Sequence, residues 1–319
     1  MTNGKSPDPT AQELEQKALA IGKWANLFMA FAGIAASWAS HSDALLIDGL
    51  FSGVNFLSAL VAARIGRKVG RPATPSRPWG QDYDETLFVT FRSLVLIGIL
   101  TFAAFVSGSK IFNFVTGGVV TPLVFGPIAI YSVIIVLICI ALAVIYRRAY
   151  VKGGRRSPIL NTESRAAIID GGLSIGAGAA LLSIPFLDGT ALQPYLPIGD
   201  AVVALLLICV VIWQPLTTFR RTLPELAGVS APRKTVSLVA RAARKLAKAD
   251  GFVFHRAAVL KAGRFHFAAV YLDPARPVDA SEVDAFEEKL NACLADILGP
   301  TRTEIIVTAR KNSPPPERR

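Results

Sequence analysis

The stretch ALLIDGLFSGVN, residues 44–55, places polar side chains in an otherwise apolar run. Its Asp48, Ser52 and Asn55 are spaced i, i+4 and i+7, so a helix carries all three on one face. An ionised carboxylate at bilayer depth costs at least about 2.5 kcal/mol and persists mainly where it is paired or lines a polar cavity. The stretch therefore predicts a membrane helix with a functional polar face.

The composition of the whole chain supports this interpretation. The 319 residues are 52% hydrophobic, with a mean hydropathy of +0.45, which is more apolar than an ordinary soluble domain. The polar first residues lack an apolar run that ends at a small-residue cleavage site, so we expect no removable signal peptide. The three cysteines are far apart and form no CxxC motif, and we expect them to be packing residues: Cys139, Cys209 and Cys293.

Apolar segments long enough to cross a bilayer recur along the first two thirds of the chain. We predict six spans, at about 21–40, 43–64, 86–108, 119–146, 158–187 and 197–218. Their alternate connections carry twelve fixed positive charges on one side, against Lys110 alone on the other. This asymmetry places both termini in the cytoplasm. The twelve are Arg64, Arg67, Lys68, Arg71, Arg77, Arg147, Arg148, Lys152, Arg155, Arg156, Arg220 and Arg221.

A second apolar stretch, NTESRAAIIDGG at 161–172, repeats the pattern of the first. Glu163 and Asp170 are seven residues apart and share one face of the fifth span. Because the second and fifth spans run in opposite directions, Asp48 is expected near Asp170 toward the outside, and Asn55 near Glu163 toward the cytoplasm. The two faces predict one shared site that offers only oxygen ligands. The alternative is that these groups form interhelical hydrogen bonds or pair with Arg92 of the third span.

After residue 219 the composition becomes that of a soluble domain. An amphipathic helix at 231–249 is followed by strands at 252–261 and 264–273, a helix at 281–297 capped by Ser281, and a last strand at 303–309. The order αββαβ predicts a small α+β sheet domain with two helices on one face. We predict four regions: a polar N-terminal segment (1–20), the six-helix membrane domain (21–219), the cytoplasmic domain (220–310) and a disordered tail (311–319).

Two segments resemble the cation diffusion facilitator family of divalent-metal transporters. SDALLIDGLFSGVN resembles the second-span pattern S-x-A-L-x-x-D-A-x-H-S-x-x-D, and SPILNTESRAAIIDGG resembles the fifth-span pattern S-x-x-L-x-A-D-A-x-H-x-x-x-D. The resemblance implies six spans, a homodimer and a metallochaperone-like cytoplasmic domain. It puts the four usual metal ligands on Phe51, Asn55, Ala166 and Asp170, of which only Asp170 keeps the usual ligand type. Asp48 and Glu163 lie one turn before these positions and match the acidic residue of each pattern.

The resemblance therefore implies a divergent member whose transport site comprises Asp48, Ser52, Asn55, Glu163 and Asp170. Oxygen ligands favour Mn²⁺, Fe²⁺ or Co²⁺, and carboxylates also bind Zn²⁺. In the soluble domain, His255 matches a position that binds metal in some members.

The expected function is export of a divalent cation from the cytoplasm in exchange for protons, across a bacterial inner membrane. The expected partners are membrane lipid, a second copy of the chain, the metal and the proton, with no cofactor and no nucleic acid. Loss of three usual ligands favours one alternative, a non-transporting scaffold or metal sensor that acts through the soluble domain. An enzyme is not expected, because the chain shows no nucleophile–base pairing, P-loop or cofactor fingerprint.

Overall fold

The structure, a computed structural model, describes residues 9–66, 83–153, 158–187, 189, 193–263 and 265–309. Within these ranges, six helical segments are long and apolar enough to cross a membrane, as predicted. Helices α6 and α7 together form the sixth. The membrane helices are α1 (Pro9–Ser40), α2 (Asp43–Gly66), α3 (Tyr83–Val115), α4 (Phe125–Lys152), α5 (Pro158–Ser183), α6 (Gly199–Val211) and α7 (Trp213–Leu226).

Some helix ends differ from the predicted ones. Helix α1 begins at Pro9, so much of the N-terminal segment predicted as merely polar is helical. Helix α4 begins at Phe125 rather than near 119, because Val124 is extended and its N–H donates to the carbonyl of Ser40 at 3.1 Å. The tail 311–319 and several predicted loop cations lie outside the described residues: Arg67, Lys68, Arg71, Arg77, Arg155 and Arg156.

The sixth span is interrupted, where the sequence pattern predicts one continuous helix. It breaks at Ile212, between α6 and α7. Pro215 explains the position, because it has no N–H to donate to the carbonyl of Val211, four residues earlier. The hydrogen bonds on either side persist, from Ile212 N–H to the Ile208 carbonyl (2.9 Å) and from Leu216 N–H to the Ile212 carbonyl (3.1 Å).

Helices α1 and α2 approach each other closely at two glycines. A Cβ added to Gly33 would lie 2.6 Å from the Cα of Gly49, and one added to Gly49 would lie 2.9 Å from the backbone N of Ile34. Small residues at such a crossing let two membrane helices pack backbone to backbone. Gly49 directly follows Asp48, so this contact also fixes the position of that carboxylate.

Asp200 joins the start of α6 to the start of α2. Asp200 lies in the first turn of α6, and its carboxylate also accepts hydrogen bonds from α2. The donors are the hydroxyl of Ser42 (2.6 Å) and the backbone N–H groups of Asp43 (2.6 Å) and Ala44 (3.5 Å). Lys110 Nζ lies 3.6 Å from Asp200 and 3.7 Å from Asp43. Asp200, which is fully buried, therefore caps α2 from a distant point in the chain.

The C-terminal domain has the predicted αββαβ order. Its elements are α8 (Arg233–Asp250), β1 (Val253–Ala262), β2 (Phe265–Asp273), α9 (Ala280–Leu298) and β3 (Thr301–Val307). The sheet order is β1-β2-β3, with β1 antiparallel and β3 parallel to the central β2. The cap predicted at Ser281 is wrong: Asp279 is the N-cap, and its backbone N–H donates to Glu282 Oε1 at 3.4 Å.

The two helices of this domain cover one face of the sheet. Helix α8 packs on β1, α9 packs on β3, and the two helices contact each other. The apolar stripes of the two helices pack on alternate residues of the strands and form a buried core. A helix and a sheet form two packed layers in this way because each has one apolar face to bury. The largest fully buried side chains are Val239, Val259, Val270, Leu272, Phe286, Leu290 and Leu294.

The chain divides into two compact units. The first comprises Met1–Ala63 with Arg92–Thr217, and the second comprises Arg64–Phe91 with Thr218–Arg319. The first turns of α3 thus belong with the soluble elements. There, Gly263 donates its backbone N–H to the hydroxyl of Thr86 at 2.6 Å, and the ring of Tyr83 stacks on that of Phe267.

Candidate functional site

A cavity of about 240 Å³ lies within the first unit, lined by α1, α2, α4, α5, α6 and α7. It brings together Asp48, Ser52 and Asn55 from α2 and Asp170 from α5. Glu163 is not among the lining residues. The two carboxylates predicted to face each other therefore open onto one space. The further polar or sulfur-bearing lining residues are Asn26, Met29, Tyr131, Ser132, Cys139, Ser174 and Gln214.

Asp48 is held by a tyrosine that the sequence analysis did not single out. The hydroxyl of Tyr131, a buried residue of α4, donates to Asp48 Oδ2 at 2.6 Å. Gly33 leaves room for this contact, since a Cβ there would lie 2.8 Å from the tyrosine oxygen. The sequence does carry a signal for Tyr131. It lies in the most apolar of the six candidate spans of the described residues, where Tyr131 and Ser132 are the only hydroxyl residues between positions 125 and 145.

Asp170 lies at the more open part of the cavity. Its side chain is exposed, and the neighbouring lining residues Ile169 on α5 and Val210 on α6 are 62% and 63% exposed. Asp170 interacts electrostatically with Asp48 and with Glu163. Like charges around one cavity repel each other unless a cation lies between them, so the arrangement favours a bound cation.

Asn55 makes the contact that the sequence analysis gave as the alternative. Arg92 of α3 donates from Nη2 to the side-chain oxygen of Asn55 at 2.8 Å. The same guanidinium attracts the carboxylate of Glu163. Arg92 therefore engages both residues that were predicted toward the cytoplasmic end of the site, whereas the contact of Asp48 is with Tyr131.

Phe51 and Ala166 occupy positions that usually carry metal ligands in the family that the chain resembles, but neither residue can bind a metal here. Phe51 lines the cavity with its ring, and Ala166 is not among the lining residues. Across the described ranges, no group of three or more His, Cys, Asp and Glu side chains could hold a metal ion. A cation in this cavity must complete its shell from hydroxyl, amide or water oxygens, which hard divalent cations accept.

His255 of the soluble domain occupies a β-bulge. The pairing of β1 with β2 shifts between Phe254 and Arg256, so His255 is the extra residue, and bulges re-aim side chains. Its Nε2 lies 3.9 Å from Asp273 Oδ2. In the part of the domain that the structure describes, this pair gains no third His, Cys, Asp or Glu, so metal binding by His255 stays a prediction.

His266, on the neighbouring strand, lies in an environment that disfavours a charged ring. Burial first, and then the positive charge of Lys261, lower the pKa of His266. Since the ordinary histidine pKa is about 6.5, the ring is neutral at pH 7.

Comparison with known proteins agrees with the membrane fold. The family model described as the cation efflux transmembrane domain matches residues 19–227. No curated protein matches the chain. The matched region contains five of the six candidate spans of the described residues, most of the first span and every residue that lines the cavity. With more than half of its length matched, the chain belongs to the cation efflux family of metal transporters.

Proposed function

We propose that the protein exports a divalent metal cation from the cytoplasm in exchange for protons, and that the cavity between α2 and α5 is the transport site. The observation that carries this proposal is the convergence of Asp48 and Asp170 on one cavity. Two carboxylates supply the two negative charges that a dication needs. Ser52, buried on the same face of α2, adds a hydroxyl oxygen.

Carboxylate oxygens also explain the coupling to protons. An oxygen of Asp48 or Asp170 can bind a metal ion or a proton, but the proton removes the charge that attracts the metal. Protonation on the outer side therefore promotes release, and deprotonation on the cytoplasmic side promotes binding. Rocking of a group of helices around the fixed site would give alternating access, as in other secondary transporters.

The ligand chemistry suggests which ions are carried. Carboxylate, hydroxyl and water oxygens are hard ligands, so we propose Mn²⁺, Fe²⁺ or Co²⁺ ahead of Zn²⁺. Cys139 also lines the cavity, but it is a buried residue of α4 that packs 3.1 Å from where a Cβ of Gly171 would lie. We therefore treat Cys139 as a packing residue and not as a ligand.

Orientation and assembly belong to the same proposal. Basic residues gather at the ends of α4 and α7 that are proposed to face the cytoplasm, where they also meet anionic lipid. The described members of this set are Arg147, Arg148, Lys152, Arg220 and Arg221. We propose a homodimer in a bacterial inner membrane with both termini in the cytoplasm.

Transport into proteoliposomes tests the proposal. With the vesicle interior made more acidic than the outside and a metal-sensitive dye inside, we expect Mn²⁺ or Co²⁺ uptake that depends on the protein, together with movement of protons out of the vesicles. Dissipating the pH gradient with a protonophore should abolish accumulation against a metal gradient. Absence of flux for Mn²⁺, Fe²⁺, Co²⁺ and Zn²⁺ alike would instead favour a scaffold or sensor, the alternative that Phe51 and Ala166 support.

Tyr131→Phe tests how the site is held. Removing the hydroxyl leaves Asp48 without its 2.6 Å donor and free to turn away from the ion. Groups that orient a ligand typically contribute 10–100-fold to metal affinity, so we expect Mn²⁺ binding weaker by about tenfold. Titration of the purified protein with Mn²⁺ measures this. The matched control is Tyr146→Phe, a buried tyrosine on the same helix that does not line the cavity and should bind as wild type.

A further inference from the structure

Arg92 is an intramembrane charge for which the proposed transport site has no role. It is the tenth residue of α3, about 14 Å along the helix axis from its start at a rise of 1.5 Å per residue. Its neighbour Phe91 is apolar and exposed, as expected for a lipid-facing residue. Arg92 is the first residue of α3 in the membrane unit. Charged side chains in membrane segments are usually paired and functional.

The contacts of Arg92 join it to both polar faces. Its Nη2 donates to Asn55 Oδ1 of α2 at 2.8 Å, and its charge attracts Glu163 of α5. Among the described residues, its buried Nε has no hydrogen-bond partner. An open donor on a buried guanidinium is unusual, because buried polar groups are normally satisfied.

The acidic groups of the membrane unit give Arg92 a purpose. Asp48 and Asp170 line the cavity, whereas Glu163 and Arg92 do not. When ionised, the three carboxylates supply three negative charges, and Arg92 supplies one positive charge that attracts Glu163. The balance is two negative charges, which one divalent cation neutralises. Without Arg92, the same ion would leave one negative charge uncompensated at membrane depth.

We propose that Arg92 is a built-in cation that neutralises Glu163 and holds the oxygen of Asn55, so that the transported dication is bound by Asp48 and Asp170. This inference rests on the proposed function. Asn55 lies seven residues from Asp48, about 10 Å along α2, so the site has two layers. The outer layer binds the metal, and the inner layer is occupied by Arg92.

The repulsion between Arg92 and the metal has a functional consequence. It weakens binding in the outer layer and opposes movement of the ion into the inner layer. A transported ion must be bound firmly enough to enter but weakly enough to leave. Arg92 therefore sets the affinity of the site, and Glu163 acts as the counterion of Arg92 and not as a metal ligand.

Binding of Mn²⁺ alone to the purified full-length protein tests this role, with free Mn²⁺ followed by electron paramagnetic resonance at one pH and ionic strength. Removing a positive charge near the ion lowers the repulsion, so Arg92→Gln should bind Mn²⁺ roughly tenfold more tightly. Arg92→Lys keeps the charge and should stay within about threefold of wild type. Equal or weaker binding by Arg92→Gln would overturn the proposal, because loss of a structural residue does not tighten a site.

The double variant Arg92→Gln/Glu163→Gln separates a counterion from a ligand. It restores the net charge, so its affinity should return to within about threefold of wild type, while Glu163→Gln alone should weaken binding. A double variant as weak as Glu163→Gln would make Glu163 a ligand and overturn the proposal. Since the double variant removes both charges of the pair, it decides the matter even where Arg92→Gln does not fold.

The same measurements distinguish this inference from the proposed function. Wild-type protein that shows metal flux, with unchanged Mn²⁺ affinity in Arg92→Gln, would overturn the role of Arg92 alone. Wild-type protein with neither flux nor metal binding would overturn the transport site itself.

Discussion

Replacing Asp170 with asparagine is expected to abolish metal flux. Asparagine keeps the size of the side chain and one oxygen, but it removes half of the negative charge that Asp48 and Asp170 offer to the ion. Because changes even to groups around a metal ligand cost 10–100-fold, we expect loss of a ligand carboxylate to lower proteoliposome flux by at least about 100-fold. The open position of Asp170 makes a folding defect a small concern, since its exposed side chain has room for an amide.

Cys139→Ala is the matched control for this variant. Cys139 lines the same cavity and offers a thiol sulfur, which is a soft ligand atom. If the ion is bound by oxygen alone, flux in Cys139→Ala should stay close to wild type, with equal amounts of protein in the vesicles. Flux above half of wild type in Asp170→Asn would contradict the proposed site. Loss of flux in Cys139→Ala would contradict the oxygen-only ligand set.

The membrane fold could be predicted because lipid imposes strong rules on a sequence. A span needs about 20 apolar residues with internally satisfied backbone groups, so the six segments are visible without any tertiary information. Polar residues at helical spacing showed which face of α2 and of α5 is unusual. The α+β order of the soluble domain followed from strand and helix periodicities, which are local properties of the chain.

The parts that were missed depend on contacts between distant residues or on a single backbone atom. Tyr131 binds Asp48 from 83 residues away, and nothing in the α4 sequence specifies that partner. Asp200 caps α2 from 158 residues beyond Ser42. Pro215 is evident in the sequence, yet the missing N–H of a proline does not by itself determine whether a helix ends there. Arg92 was weighed as a partner for the polar face, but sequence spacing could not assign it to Asn55 rather than to Asp48.

The buried carboxylate of Asp200 makes the largest predicted contribution to the stability of the fold. It is fully buried, accepts three hydrogen bonds from Ser42, Asp43 and Ala44, and lies 3.6 Å from Lys110. In Asp200→Ala, Lys110 keeps Asp43 but loses Asp200 as an ion-pair partner, and the start of α2 loses its cap. Removing one partner of a buried ion pair costs about 3–5 kcal/mol, so we expect a large drop in the thermal unfolding temperature of the detergent-solubilised protein.

Asp250→Ala is the control for Asp200→Ala, because it removes an exposed ion pair instead of a buried one. Asp250 pairs with Lys289 at 2.9 Å, but the lysine side chain is 55% exposed, and exposed pairs contribute about 0–1 kcal/mol. Lys110→Met introduced with Asp200→Ala should recover none of the loss, because it also removes the cation that lies 3.7 Å from Asp43. Equal unfolding temperatures for Asp200→Ala and Asp250→Ala would show that α2 is held by its glycine contact with α1. In that case Asp200 would be available for a role other than anchoring the helix that carries Asp48.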